Sequence, residues 1–327
     1  MSKKFKILVG ICFIFALFLC FCNLNTGFIN LTMQDFISET DLSTVANLRI
    51  NRVLVMLLAG ISIPTSGFLL QEYFQNPLAG PSVLGISSVA SLSVAFYLFI
   101  SQGWFVSEFL QNGILSFFSI LGSLILMLIL IGFSYQKQEA TVLIIFGFLI
   151  SALSGAVVSI LQLYADNQSL KHYILWSFGA NAHITKTQIY ILFFLVIVGL
   201  FFAFKTIKPL IGSVLGVDYA QSFGVNLQKL KLTIIIASSV LSASVTAFLG
   251  PILFIGIVVP HFCRMIYNPA KIWQQWILNM VIGVVIMEFF SIVSELSKFP
   301  MNIITSLFGI PVIFYMLLNK KMSKKWN

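Results

Sequence analysis

Ten apolar runs, near residues 6–23, 51–70, 83–101, 114–133, 141–163, 188–204, 230–249, 252–266, 276–294 and 303–319, occupy most of the 327-residue chain. About 20 residues of helix cover a hydrocarbon core of ~30 Å, so most of these runs match the thickness of a bilayer. Charged residues make up 9% of the chain and hydrophobic ones 59%, whereas a soluble domain carries roughly 25% charged residues. Too little polar surface remains to coat a globule, so the solvent is lipid. In lipid every backbone N–H and C=O must find its partner inside the protein. The runs are therefore read as helices, and the fold class as an all-α polytopic membrane protein of about ten transmembrane helices in one domain, 1–327. The eighth run is short and opens at Gly250-Pro251, which predicts a tight reversal followed by a partial crossing. The opening stretch, MSKKFKILVGICFIFALFLCFCN, is basic and then apolar. It lacks a small-x-small cleavage pattern and reads as a retained first span.

The net charge of +9 would suggest nucleic acid in a soluble protein; here the lysines set topology, and no nucleic-acid partner is expected. With the amino terminus inside and the spans alternating, 14 of the 19 Lys and Arg residues fall on cytoplasmic segments. Arg49, Arg52, Lys171, Lys186 and Lys298 are the five outside. The positive-inside rule then places both termini in the cytoplasm. Arg49 and Arg52 lie three residues apart on one helical face at the start of the second span. They admit two readings: snorkelling at the interface, or an outward cationic patch for an acidic partner.

Between the sixth and seventh spans the chain turns polar, in KPLIGSVLGVDYAQSFGVNLQKLKL. Asp218 suits an N-cap and Gly224 a C′ position for one short helix through YAQSF, and Asn226 can cap the next helix. Leu215, Tyr219, Phe223 and Leu227 recur every four residues as an apolar stripe. Interfacial anchoring would use such a stripe, but Asp218 is a poor guest beside anionic lipid. A knob that fits a groove on a partner accounts better for the pattern. The chain carries no G-x-x-x-x-G-K-S/T phosphate loop, no H-E-x-x-H, and no grouping of Ser, His and Asp. Any nucleotide-driven motor is another chain, and this one is not read as an enzyme. Cys12, Cys20, Cys22 and Cys263 form no C-x-x-C pair and read as buried small apolar residues. No metal site and no cofactor are expected.

Other residues carry two readings each. Glu288, in VVIMEFFSI, is costly at mid-membrane and must face protein or water; it is either a structural partner near the outer end or the proton site of a secondary carrier. Gly147, Ser151, Ser154, Gly155 and Ser159 lie mostly on one face of the fifth run, either for close helix approach or as a smooth wall for bulky cargo. His261, after Pro260, is a structural turn residue or a haem or metal ligand without a second ligand nearby. AGPSVLGI and LGPILFIGI hint at an inverted repeat.

Several stretches resemble the FecCD-type permease family of ABC importers, the membrane subunits for iron–siderophore complexes, haem and cobalamin. They are QEYFQNPLAGPSVLGISS (71–88), LGVDYAQSFGV (215–225), GPILFIGIVVPHFCRMI (250–266), FGIPVIFYMLL (308–318), LRINRVL and the W-x-x-G of Trp176 to Gly179. The resemblance implies a type II ABC importer architecture, like the cobalamin permease, in the bacterial cytoplasmic membrane. The implied partners are two ATP-binding ABC subunits inside, an extracytoplasmic substrate-binding protein outside, and a second permease copy with the pathway between. Residues 209–228 would form the cytoplasmic coupling segment, with Leu215, Gly216, Asp218, Ala220, Phe223, Gly224 and Val225 meeting the ATPase. Arg49 and Arg52 would pair with acidic residues of the docked binding protein. Asn76, Pro77, Leu78, Ala79, Pro81 and Gly85 would belong to the pathway or its gate, with Ser151, Ser154, Gly155 and Ser159. Pro260, His261 and Arg264 would form a structural turn near the ATPase contact, and Gly250 and Pro251 a structural turn where the eighth run begins.

The chain departs from the family pattern at four places. Lys298 stands where an acidic residue usually precedes Pro300, and Asn302 replaces a common glycine. Ser291 stands near the place of a further outer-face arginine of some members, so one docking contact would be lost or moved. Val89 replaces a glycine, which predicts a looser or altered helix approach. The expected function is uptake of an iron chelate, foremost an iron–siderophore complex, with haem or cobalamin as the alternative. A proton-coupled carrier using Glu288 is the alternative from another class.

Overall fold

The structure, a computed structural model, describes residues 3–37, 42–100, 108–136, 140–179, 184–214, 216–268 and 271–318, and among these it is helical with no strand. Each apolar run becomes one helix: α1 (Lys3–Asn25), α3 (Ser43–Phe74), α4 (Ile86–Ile100), α5 (Glu108–Gln136), α6 (Ala140–Leu163), α8 (Lys186–Val214), α10 (Leu227–Leu249), α11 (Ile255–Ile266), α12 (Ile272–Ser297) and α13 (Met301–Leu318). Three short helices join them: α2 (Met33–Ile37), α7 (Asn167–Ser177) and α9 (Val217–Ser222). Among the described residues, seven helices are long and apolar enough to span a membrane, while α4, α11 and α13 are shorter.

The core forms around α3 and α10, which are buried over most of their length, whereas α1, α6 and α8 bury only a narrow stripe. Lipid exerts no hydrophobic force that would drive helices together, so packing depends on small residues and hydrogen bonds between helices. Helix α10 supplies both. Ser238, Ser239, Ser242, Ser244 and Thr246 are buried, and the Ser238 carbonyl accepts from Ser66 Oγ on α3 at 3.0 Å. Helix α3 crosses α12 at Gly60 and Gly283. A Cβ added to Gly60 would lie 2.6 Å from Val284 Cα, so glycine is what permits the contact. At Val89, where the sequence predicts a looser approach, the helices approach closely because the neighbouring helix supplies a glycine. A Cβ on Gly122 of α5 would lie 2.8 Å from the Val89 carbonyl.

Large side chains outside these contacts, such as Ile14 on α1, Phe148 on α6 and Tyr190 on α8, are exposed. Ile14 and Tyr190 suit a hydrocarbon surround, where exposure carries no solvation cost, while Phe148 shares its face of α6 with the exposed Gly155 and Ser159. The short eighth run folds as a reversal from Gly250 to Phe254 followed by the 12-residue α11, about 18 Å of helix. Gly309 of α13 packs under Phe254, so this irregular backbone lies against protein, where it is tolerated.

Candidate functional site

Two ends of the helical bundle hold the candidate residues. At one end lies α9. Helix α8 runs through Pro209 to Val214, so the link between long helices is shorter than the expected 209–228. Leu215 lies outside the described residues. The N-cap of α9 is Gly216, at φ +120°, and Asp218 instead occupies the first helical turn. The expectation of an Asp218 cap fails because the chain reverses at Gly216, in a backbone region open chiefly to glycine.

The carboxyl end of α9 follows the expected pattern. Gly224 adopts φ +74°. Its N–H donates to the Gln221 carbonyl at 2.9 Å, and the Val225 N–H donates to Ala220 at 2.9 Å, a Schellman closure. Asn226 Oδ1 then accepts from the Lys229 N–H at 2.9 Å and caps α10. Ala220 is fully buried, so α9 is anchored to the bundle, yet Tyr219 and Phe223 are 63% and 74% exposed. A rigid short helix thus holds two uncovered aromatic side chains.

The end of α3 turns through the Asn-Pro segment. Gln75 is left-handed, and Asn76 Oδ1 accepts from the Leu78 N–H at 2.9 Å. Ala79 and Pro81 are buried. Gly85, at φ +85°, lies against α6, where an added Cβ would meet the Gly147 carbonyl at 3.0 Å and Ser151 Oγ at 3.1 Å. The small residues of α6 therefore divide. Gly147 and Ser151 pack on this turn and Ser154 is buried, while Gly155 and Ser159 are exposed with open space at Gly155.

Helix α11 closes the same end. Arg264 donates from Nη1 to Gln71 Oε1 at 2.7 Å and from Nη2 to Glu72 Oε1 at 2.6 Å, tying α11 to α3. Gln71 Nε2 donates in turn to the Ile257 carbonyl at 3.1 Å, and Gln275 Nε2 reaches the Pro260 carbonyl at 3.4 Å. His261 is buried. Among the described residues no cluster of three His, Cys, Asp or Glu side chains could hold a metal. Sequence reasoning assigns Arg264 to a structural turn and misses that it pairs with Glu72.

The opposite end carries the arginines. Arg49 is only 5% exposed; its Nη1 donates to the Leu24 carbonyl at 3.1 Å and its Nη2 to Ile29 at 2.5 Å. Arg52 Nη2 donates to the carbonyls of Asn23 and Thr26 at 2.7 and 2.8 Å, and its Nη1 meets Glu295 Oε2 at 2.6 Å. Both cations thus satisfy carbonyls freed at the end of α1, where positive charge is favoured. They also staple the α1–α2 connection to α3 and α12. Glu295 gave no signal in the sequence, because its role depends on a fold that brings α12 beside α3.

A cavity of about 500 Å³ opens beside this staple, bordered by Phe28, Arg49, Arg52, Glu295, Lys298 and Met301 among others. Lys298 is left-handed and its Nζ lies 5.0 Å from the centre of the Phe28 ring. Asn302 joins α13 to the end of α7, because its Nδ2 donates to the Ser177 carbonyl at 3.0 Å and its N–H to Phe178 at 3.3 Å. Glu288 is fully buried, and its Oε2 accepts from Asn23 Nδ2 at 2.6 Å, linking α12 to α1. Ser291, one turn on, reaches Asn23 Oδ1 at 3.5 Å.

Residues 8–319 match the model of the FecCD transport family. The hemin transport system permease HmuU of Yersinia pestis is 26% identical, over 97% of this chain and 96% of its own length. The iron(3+)-hydroxamate import system permease FhuG of Bacillus subtilis is 25% identical over 97% and 98%. The vitamin B12 import system permease BtuC of Vibrio vulnificus is 27% identical over 90% and 88%. Among solved structures, a metal-chelate type ABC transporter in an inward-facing conformation superposes with a TM-score of 0.82, at 22% identity, over 96% of this chain and 99% of that one. At that identity the likeness speaks for the fold.

Proposed function

The chain belongs to the FecCD transport family, as a permease of an ABC importer, and from that premise we propose that it carries an iron chelate, foremost an iron–siderophore complex, across the bacterial cytoplasmic membrane. The family match over residues 8–319 is the observation that carries this reading. Whole-length similarity to a hydroxamate-iron permease supports the cargo class. Similar relatives for hemin and vitamin B12 support haem or cobalamin as the second reading.

In this reading a loaded binding protein docks at the arginine end, where Arg49 and Arg52 already bind carbonyls and Glu295. Contact with acidic groups of that protein would exchange these internal partners for external ones. ATP-driven approach of two ATPase subunits reaches the permease through α9. Its exposed Tyr219 and Phe223 enter a groove on the ATPase, and its Schellman closure transmits force into α10 because the turn has little freedom to flex. A second permease copy completes the pathway, with Asn76, Pro77, Leu78, Ala79, Pro81 and Gly85 beside α6 as gating elements. The uncovered small residues Gly155 and Ser159 belong to the pathway wall. Glu288, engaged by Asn23, acts as a structural tie, which favours this reading over a proton-coupled carrier.

Uptake of a ferric hydroxamate by vesicles containing the permease, its ATPase subunits and a binding protein is the test. Transport should require ATP and should be lost in Gly224→Pro at normal membrane insertion, because proline cannot adopt a positive φ. Uptake without ATPase subunits that collapses with the proton gradient would overturn the mechanism. Hemin or cobalamin transported in place of the hydroxamate would reassign the cargo.

A further inference from the structure

Lys205, Lys208 and Lys229 converge on one groove between the carboxyl end of α8 and the start of α10, with a volume of about 720 Å³. No carboxylate lines this groove, and among the described residues none of the three lysines forms an ion pair. Asp218, the nearest acid along the chain, stands on α9 outside the lining. Lysines that merely set topology need only lie on the correct side of the membrane. Convergence from two helices onto one concavity is a further constraint, and it calls for an anion.

Two features identify that anion. Tyr190, Phe194, Ile197, Phe201 and Phe204 are all exposed and recur at three- and four-residue steps along α8. They form one apolar stripe, facing hydrocarbon, that ends on Lys205 and Lys208. Lys205 Nζ lies 4.2 Å from the centre of the Phe201 ring, so the cation sits where the aromatic stripe meets the head-group region. The other feature is the start of the 23-residue α10, which lines the groove with Asn226, Lys229 and Leu230, so the positive end of its dipole lies close by. Of its first-turn donors, Lys229 N–H is capped by Asn226.

We propose that this groove binds the phosphate head group of an anionic phospholipid, with the acyl chains lying along the apolar stripe of α8. Gly224 and Val225 form part of the same lining, so the lipid would brace the base of α9 and leave Tyr219 and Phe223 to the ATPase. Basic pockets between membrane helices are suited to such head groups. The proposal requires only that the chain spans a membrane, and it stands whatever the cargo is.

The full-length protein, in mixed nanodiscs, would be tested for phosphatidylglycerol retained over phosphatidylcholine, read by native mass spectrometry. Each lysine contributes about fivefold to the preference, so K205Q/K208Q/K229Q should lose roughly a hundredfold. The corresponding triple arginine variant should keep the preference, as should K171Q/K186Q at the other end of the bundle. If the triple glutamine variant fails to fold, K208Q and K229Q singly should each lose about fivefold. An unchanged preference in these variants overturns the proposal. So does displacement of the lipid by millimolar inorganic phosphate, which would make the groove a free-anion site. Loss of the ATPase subunits from the triple variant with its lipid preference intact would also overturn it, reassigning the groove to a protein contact.

Discussion

Arg264 and Glu72 are 192 residues apart in the chain and 2.6 Å apart in space, with both side chains 13% exposed. Hydrogen bonds to charged groups contribute about 1.5–3 kcal/mol. Arg264 also serves Gln71, so Arg264→Ala should destabilise more than Glu72→Ala. The double variant should cost less than the sum of the two, as a thermal-melt cycle in nanodiscs can measure. Neither partner could be deduced from its own surroundings in sequence, because pairing is a property of the α3–α11 contact. Asp166 differs in kind. It caps α7 through Gln168 and Ser169 N–H groups at 3.0 and 3.1 Å, a local arrangement. A hydrogen bond with the Ser169 side chain, and then these N–H groups, holds its carboxyl below the ordinary value of 3.8. A depressed folded-state value means stabilisation that is complete above about 3.8 and fades as pH falls through the folded value. Asp166→Ala should therefore weaken amide protection in α7 at pH 6, measured by hydrogen exchange against wild type. That difference should vanish in strong acid.

At the level of elements, the α9 segment shows which features are local. The left-handed Gly224 and the Asn226 cap were legible, because each depends on a residue's own backbone preference and a partner within a few positions. The amino-terminal cap was not, since Gly216 turns the chain before Asp218 can act. Gly224 has open space around it, so Gly224→Ala should incur only the left-handed backbone cost of about 1–2 kcal/mol. It should insert normally and slow ATP-driven uptake, with a milder loss than Gly224→Pro; rates equal to wild type would separate this turn from coupling. Helix α6 makes the complementary point. Its glycines and serines announced a small-residue face, but only the position of Gly85 shows that Gly147 and Ser151 are used for packing while Gly155 and Ser159 are left open.

For the whole molecule, the charge distribution makes a checkable statement about sidedness. Fourteen of 19 cationic side chains are assigned to one side, and the lysines lining the α8–α10 groove belong to that majority. A cysteine introduced at Lys229 should react with an impermeant maleimide only in inverted vesicles, and one at Lys186 only in right-side-out cells. The reverse pattern would exchange the roles of the two ends. The α9 end and the arginine end lie at opposite ends of α3, whose 32 residues extend about 48 Å, beyond the hydrocarbon core. Events at one end must therefore reach the other through helix packing.

Taken alone, the sequence determined the solvent, the number of apolar helices and the family, because hydropathy, run length and local motifs are summed along the chain. It also marked Arg49, Arg52 and the 215–225 segment as residues out of keeping with their surroundings. Tertiary structure alone decided what the arginines hold, that Glu288 ties α12 to α1, and that Arg264 locks α11 to α3. Each of these depends on a distance between residues far apart in sequence. In a membrane the helices form independently of one another, and only their packing sets such distances.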